Sequence, residues 1–475
     1  MELEAIIGLE IHVEMKTKSK MFSSSPVTYG EEPNTQTTPL DFAFPGTMPV
    51  VNKQAVINAI RVSNALHMTI DHELWFDRKN YFYSDLPKGY QITQQERPIG
   101  KEGYLTILLE DGSEKKIRIE RLHMEEDTCK QLHSWDCSLL DYNRAGIPLI
   151  EIVSRPDIRN GYEAARYVEK IRSIVSFLEV SDGKMEEGSL RCDVNISLKE
   201  KSSDVLGTKV EIKNLNSLMN IEKAIAFEIE RQSALIECGI KIQQETRRFD
   251  EASKETVLMR LKTDAVDYKY FTEPNIVPIT LSDAFVEDAI KSSPELADSK
   301  LKRYQAFGLS SYDCSLLISS KEVSDYFDKA VATGASPKLV ANWVIVDVQA
   351  ILNKENISIK EFNILPEELG KLILFIEEGK VSNKQARDIF ITMLKEGKTA
   401  QEVINESGAS LISDEDELRK IILEVLNNNE QSILDYKAGK DRALGYIVGQ
   451  VMKLSKGKAN PALTSKMIKE EIDRR

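Results

Sequence analysis

A two-residue alternation of apolar and polar side chains recurs through the first 290 or so residues, and it limits the fold more than any other feature of the chain. The segments are Ala5–Val13, Tyr104–Leu109, Lys115–Ile119, Ile147–Val153, Leu190–Leu198 and Lys209–Lys213. Side chains two apart on a strand share a face, so each segment is expected to form a strand with one apolar side. Glu110-Asp111-Gly112-Ser113, between two of them, predicts a hairpin turn. Two stretches switch to helical spacing. Gly161–Leu178 places Ala164, Tyr167, Val168, Ile171, Ile174, Val175 and Leu178 on one face, and Ile221–Ile236 does so with Ile225, Ile229 and Leu235. This region is therefore expected to be α+β, with a mixed, mostly antiparallel sheet.

The polar faces carry unusual side chains. Glu10, His12 and Glu14 share one face against Leu9, Ile11 and Val13. Arg191, Asp193 and Asn195 oppose Cys192, Val194 and Ile196, and Lys209, Glu211 and Lys213 oppose Val210 and Ile212. An antiparallel sheet with one solvated face is the ordinary reading of such strands. Three strands offering His, Asp, Asn and Glu, where Thr, Ser and Lys would serve, point instead to a face able to ligate Mg²⁺ or Mn²⁺. His123, Glu125, Glu126 and Asp127 add four titratable groups in five positions. Glu151 lies inside an apolar strand, where a carboxylate is costly unless metal-bound or paired. Arg155 is the structural partner the sequence offers. Asp77–Tyr83 and Pro87–Tyr90 mix cations, aromatics and turn residues, a composition that suits phosphate and base contacts as well as a plain surface loop.

Composition changes near residues 292–300, which read as a linker with a helix start. Val323–Val331, Leu339–Leu352, Pro366–Glu378 and Ser382–Leu394 are helix-periodic, and Ser413–Asp416 resembles an N-cap opening a further helical unit near residue 406. Net charge is −13, so any nucleic-acid contact must come from local patches. The segment Lys437–Arg475 is one such patch, with ten Lys/Arg against four Asp/Glu, or +6. Five scattered cysteines without a CxxC predict no disulfide framework, and His123, Cys129, His133 and Cys137 match no zinc-finger spacing. Without a signal-like start or an apolar run near ~18 residues, a cytoplasmic protein is expected. No P-loop, GxSxG or cysteine-nucleophile signature occurs, so glutamine hydrolysis by this chain is not expected.

These segments together resemble the family of B subunits of aspartyl/glutamyl-tRNA(Asn/Gln) amidotransferase. The resemblance rests on Ile7–Val13, Pro33–Thr35, Phe44–Gly46, Phe76–Tyr83, Leu122–Asp127, Pro148–Val153, Lys184–Ser197, Glu211–Ser217, Gln244–Asp250, Asp267–Phe271, Gly445–Gln450 and Lys456–Pro461. It implies a cradle-shaped catalytic domain over 1–292, a helical domain over 293–405 and a small α-helical tail domain over 406–475 that binds tRNA. It implies ATP- and Mg²⁺-dependent phosphorylation of the side-chain carboxylate of Glu-tRNA(Gln) or Asp-tRNA(Asn), followed by displacement of phosphate by ammonia. The implied partners, in a heterotrimer, are the glutaminase (amidase), or A, polypeptide and the small linker, or C, polypeptide.

By resemblance, Glu10, His12, Glu125, Glu151, Asp193 and Glu211 line the phosphoryl-transfer site, with His12, Glu125 and Glu151 as metal ligands. Lys79, Tyr81, Tyr83, Lys88, Arg191 and Lys213 would meet the nucleotide or the tRNA acceptor end, and Lys453, Lys456 and Lys458 would meet tRNA at the tail. Thr38-Pro-Leu-Asp41 stands where many relatives carry Cys-Pro-x-Cys, so zinc is not expected. Cys129, Lys269, Thr272 and Asn275 also depart from the usual pattern. A non-catalytic tRNA-binding paralogue is the alternative, and a degenerate paralogue would have lost part of the acid set. An unrelated metal-dependent phosphohydrolase is the third reading.

Overall fold

The computed structural model describes residues 2–261, 267–407, 415–437, 441–455, 459 and 461–474. The chain divides into two compact units, Met1–Ala297 and Asp298–Arg475. The first is built on one nine-stranded sheet. Its strands are β1 (Leu3–Glu14), β2 (Thr69–Ile70), β3 (Gly100–Leu108), β4 (Glu114–Glu126), β5 (Pro148–Ser154), β6 (Leu190–Glu200), β7 (Val210–Leu215), β8 (Glu245–Asp250) and β9 (Glu255–Leu261). Their order across the sheet is β9-β8-β7-β6-β1-β5-β4-β3-β2. Among the described residues of this sheet only β7 and β8 pair in parallel; every other neighbouring pair is antiparallel.

All six expected strands form. The Lys115–Ile119 segment is the start of a longer strand, because β4 runs on to Glu126 and so carries His123 and Glu125 into the sheet. The hairpin turn joins β3 to β4: Leu109 N–H donates to Ser113 O at 2.8 Å, and Gly112 takes φ +82°, where a side chain would be strained. Both expected helices form, as α2 (Gly161–Phe177) and α3 (Leu218–Glu237). Each has a side-chain N-cap: Asn160 accepts from Glu163 N–H and Ser217 from Asn220 N–H. A further helix, α1, spans Lys53–Ala65.

These helices share one core with the apolar side of the sheet. Leu9, Ile11, Val13, Ile150, Ile152, Val194 and Ile212 pack in a single cluster with Ala59, Val168, Ile171, Val175 and Ile225. The alternation thus has a mechanical consequence: covering one face with helices leaves Glu10, His12 and Glu14 on the other.

In the second unit the helix-periodic segments form Lys321–Val331, Pro366–Glu377 and Asn383–Glu396. The expected single helix over Leu339–Leu352 contains a π-helical turn at Trp343–Val348. The five-residue interval between the buried Trp343 and Val348 suits that wider turn. The described residues of this unit form two separate apolar clusters, one between Tyr304 and Ile404 and one between Leu418 and Ile472. The N-cap expected at Ser413 lies outside the described residues. No helix among the described residues is long and apolar enough to cross a membrane.

Candidate functional site

Strand register assembles the site on the uncovered face of the sheet. His12 on β1 stands opposite Arg191 on β6 and Glu151 on β5, and Glu151 stands opposite His123 on β4. One row thus reads Arg191, His12, Glu151, His123 across four strands. Glu14 leads through Leu149 to Glu125 in the next row. On the other side of His12, Glu10 faces Asp193, and Asn195 faces Glu211 on β7. The six acid and imidazole residues expected from sequence gather as two groups of three: His12, Glu125 and Glu151, and Glu10, Asp193 and Glu211. Within each group the ligand atoms lie within 4.8 Å of one another.

In the first group His12 and Glu151 favour each other's charged forms despite burial. His12 Nε2 lies 3.5 Å from Glu151 and 3.8 Å from Glu125, and His123 Nε2 lies 3.2 Å and 3.6 Å from the same pair. Burial alone would raise the Glu151 carboxyl pKa, but the two imidazoles outweigh it and hold the group well below the usual range. Burial likewise opposes protonation of the imidazoles, and the carboxylates reverse it. His12 is raised above 6.5 and His123 is pushed up to about 9. Arg155, the partner the sequence offered for Glu151, turns instead to Glu102 and to Glu120, 3.6 Å away. The β-bulge between Val153 and Ser154 breaks the register just before Arg155. His123 Nδ1 is buried without a hydrogen-bond partner among the described residues.

The second group is bound by amide, hydroxyl and ammonium donors. Asn195 Nδ2 donates to Glu10 at 2.9 Å, and Thr246 Oγ1 donates to Glu211 at 2.8 Å. Lys213 Nζ lies 2.5 Å from Asp193 and 3.2 Å from Glu211.

Cations and aromatics form the rim. Lys79 is on the short strand Asp77–Asn80, which pairs with Tyr90–Thr93 and Phe271–Thr272. Its Nζ stands 5.0 Å from the Tyr268 ring centroid and 5.9 Å from Tyr81. Burial would lower the Lys79 pKa, but Glu125 and Glu151 outweigh it and raise it. Lys88 pairs with Glu126, whose carboxylate also accepts from Ile92 N–H at 3.0 Å. Phe82 and Tyr83 are 94% and 65% exposed in a loop around a shallow hollow of about 530 Å³. A second hollow of about 260 Å³ adjoins Glu10 and Asn195, with Ile6, Leu9, Val153, Pro156 and Leu206 as apolar lining and Ser197 and Lys209 as polar lining. Gly207 lets the wall of this hollow close: a Cβ there would meet the Leu198 carbonyl oxygen at 2.0 Å.

Three further placements bear on the sequence reading. Tyr83 belongs to neither acid group and lines the first hollow, and Lys453 is exposed on the helix Asp441–Leu454 of the second unit. Lys456 and Lys458 lie outside the described residues. At the departed motif, the Asp41 carboxylate accepts from Thr38 N–H at 2.7 Å and Ser23 Oγ at 2.9 Å, and lies 3.6 Å from the buried Lys20.

Sequence reasoning left several site residues unassigned. His123, Glu14, Asp127 and Arg144 all touch groups on this face, and Tyr268 and Tyr270 flank Lys79. Parity puts Glu14 on the face of His12, and the sequence offers His123 and Asp127 among its titratable groups, but neither signal gives any of them a role. No local signal places Tyr268 beside Lys79.

Comparison with known proteins matches residues 5–287 to the GatB/GatE catalytic domain and residues 325–472 to the GatB domain. Proteins named as the B subunits of aspartyl/glutamyl-tRNA(Asn/Gln) amidotransferase from Bacillus thuringiensis (strain Al Hakam), Bacillus cereus (strain AH820) and Bacillus anthracis are each 50% identical to the chain over 476 residues, covering all of both sequences.

Proposed function

The chain belongs to the family of B subunits of aspartyl/glutamyl-tRNA(Asn/Gln) amidotransferase, and we propose that its open sheet face is where ATP activates the side-chain carboxylate of Glu-tRNA(Gln) or Asp-tRNA(Asn). It is one polypeptide of a glutamine-hydrolysing, tRNA-dependent ligase. The observation that carries the proposal is the convergence of six ligand side chains from β1, β4, β5, β6 and β7 into two adjacent groups.

The donor set fits a hard divalent cation, since five of the six residues are carboxylates and the imidazole is braced by its own acids. Held by His12, Glu125 and Glu151, Mg²⁺ would supply the charge that lets a phosphate and a carboxylate approach each other. The remaining chemistry falls to the chain. The γ-phosphoryl group leaves the bridging oxygen of ADP and joins a carboxylate oxygen; ammonia then bonds to the acyl carbon as phosphate departs. Such transfer needs positioning and charge compensation more than a covalent nucleophile. Lys79, Arg191 and Lys213 provide that compensation on the same face. The hollow beside Glu10 suits a nucleoside, having apolar walls and polar groups at Ser197, Asn195 and Lys209. Tyr81, Tyr83, Lys79 and Lys88 meet the acceptor end, with the exposed Tyr83 ring free for stacking and the half-buried Tyr81 ring beside Lys79.

Ammonia comes from a glutaminase partner, and a small third polypeptide joins the two large ones in a cytoplasmic heterotrimer. The catalytic region is 1–292, followed by a helical domain over 293–405 and a tRNA-binding tail over 406–475. The two separate apolar clusters of the second unit support that last division.

The test is reconstitution with the two partner polypeptides and assay on each misacylated tRNA. Amidation that requires ATP and yields ADP and phosphate is expected. ATP hydrolysis by the chain alone, with no amidation in the complex, would favour the phosphohydrolase reading.

The His12 pKa gives a second expectation. A cation on Nε2 must displace a proton that Glu151 and Glu125 hold more tightly than a free imidazole holds its own. Mg²⁺ affinity of the complex is therefore expected to rise with pH through the ordinary imidazole range near ~6.5 and beyond it, and to flatten once His12 is neutral. Calorimetric titration showing equal affinity throughout would remove His12 from the ligand set.

A further inference from the structure

Beyond the two acid groups, a third cluster of charged side chains occupies the end of the same face. Asp127 follows β4 and is buried. Its backbone is clamped on both sides: its N–H donates to Ile147 O at 2.9 Å, and its carbonyl accepts from Gly146 N–H at 2.9 Å. One carboxylate oxygen accepts from Thr128 N–H at 2.8 Å. The other accepts from Arg191 Nη2 at 2.6 Å and lies 3.7 Å from Arg144 Nε. Arg144 is itself fixed, donating to Thr128 O at 3.0 Å and to Cys129 O at 2.9 Å. Glu14 also approaches Arg191, 3.8 Å from the same Nη2.

The guanidinium is therefore held through Nη2. Its Nε is buried and has no hydrogen-bond partner among the described residues. Arg191 is also the register neighbour of His12, which places it beside the candidate metal ligands. A buried N–H of a fixed guanidinium calls for an acceptor, and an anion satisfies it best. We propose that Asp127, braced by Arg144 and by Glu14, is the positioning residue that presents the unpaired Nε edge of Arg191 to the phosphoryl group in transfer. This rests on the reading of the face as a phosphoryl-transfer site. An arginine free to rotate would lose its aim at the moment charge moves between oxygens, whereas one anchored on a clamped carboxylate keeps it.

The test uses the reconstituted complex with Asp127→Asn, Arg191→Ala and the double variant, scored for ATP-dependent amidation and for glutaminase turnover as a check of integrity. Asp127→Asn is expected to lower kcat about 10- to 100-fold with KM for ATP and tRNA little changed. Arg191→Ala is expected to lose at least as much, and the double variant no more than Arg191→Ala alone. Added guanidinium ion is expected to restore part of the activity of Arg191→Ala, where Asp127 can hold it, and none in the double variant. Glu14→Gln, a milder change, is expected to show the same kcat signature at a few-fold. If Arg191→Ala amidates at the wild-type rate, the phosphoryl-transfer reading of this face fails. If Arg191→Ala is inactive while Asp127→Asn and Glu14→Gln keep wild-type kcat, that reading stands and the positioning role is overturned. Additive losses, or equal guanidinium rescue in both backgrounds, also overturn it.

Discussion

Glu125→Gln is expected to abolish ATP-dependent amidation, with a loss of at least ~10³-fold, or about 4 kcal/mol of transition-state stabilisation, while glutaminase turnover in the complex survives. The change keeps shape and removes charge. Glu125 is 3% exposed and lies within reach of His12, His123 and the Thr93 hydroxyl, which is 3.4 Å away. A neutral amide there leaves two imidazoles sharing Glu151 alone and deprives a cation of one anionic ligand. Glu10→Gln, in the second group, is expected to be inactive as well. Steady-state assay of amide formation on misacylated tRNA, with glutamate release followed in parallel, checks both. Full amidation by both variants would mean that the two acid groups are not the site.

The grouping of these candidate residues was legible in the chain because they sit on strands. A strand fixes side-chain direction by parity alone, so Glu10 with His12, and Asp193 with Arg191, could be put on one face without a structure. What parity cannot give is pairing. The register that sets His12 between Arg191 and Glu151 joins β1 to strands about 140 and 180 residues later. The pairing of Phe271–Thr272 with Asp77–Asn80, which brings Tyr268 to Lys79, is equally remote.

One strand and half of another went unread for a different reason. In β8, Glu245–Asp250, charged residues fill inward positions: Glu245 is buried and pairs with Arg231 and Arg247. Ionic pairs replace the apolar alternation there, and without it the segment looks like a loop. The run Arg121–Asp127 concealed the second half of β4 in the same way, because Glu125 and Glu126 are both buried although they point to opposite sides. The Arg155 expectation failed because four strand residues, about 13 Å, separate it from Glu151, while Glu102 and Glu120 lie within its reach.

Removal of residues 406–475 is expected to weaken tRNA binding by about 10- to 100-fold and to leave ATP affinity unchanged. The truncation takes away the whole Leu418–Ile472 cluster and leaves the Tyr304–Ile404 cluster intact, so the remaining helices keep their own core. It also removes the +6 segment Lys437–Arg475 from a chain of net charge −13. Phosphate contacts release counterions, so the shortened protein is also expected to show a shallower salt dependence, by about one unit of slope per lost contact. Filter binding across a salt series checks both numbers. Unchanged affinity and slope would assign tRNA binding to the first unit and the helical domain instead.

Anomalous scattering from crystals of the complex grown with Mn²⁺ and a non-hydrolysable ATP analogue tests the account at its centre, because it asks whether side chains from separated strands form one cation site beside a nucleotide. A peak within about 2.5 Å of the ligand atoms of His12, Glu125 and Glu151, with phosphate oxygens against it, is the expected result. Nucleotide bound elsewhere, with those three side chains still paired only to each other and to His123, would contradict it.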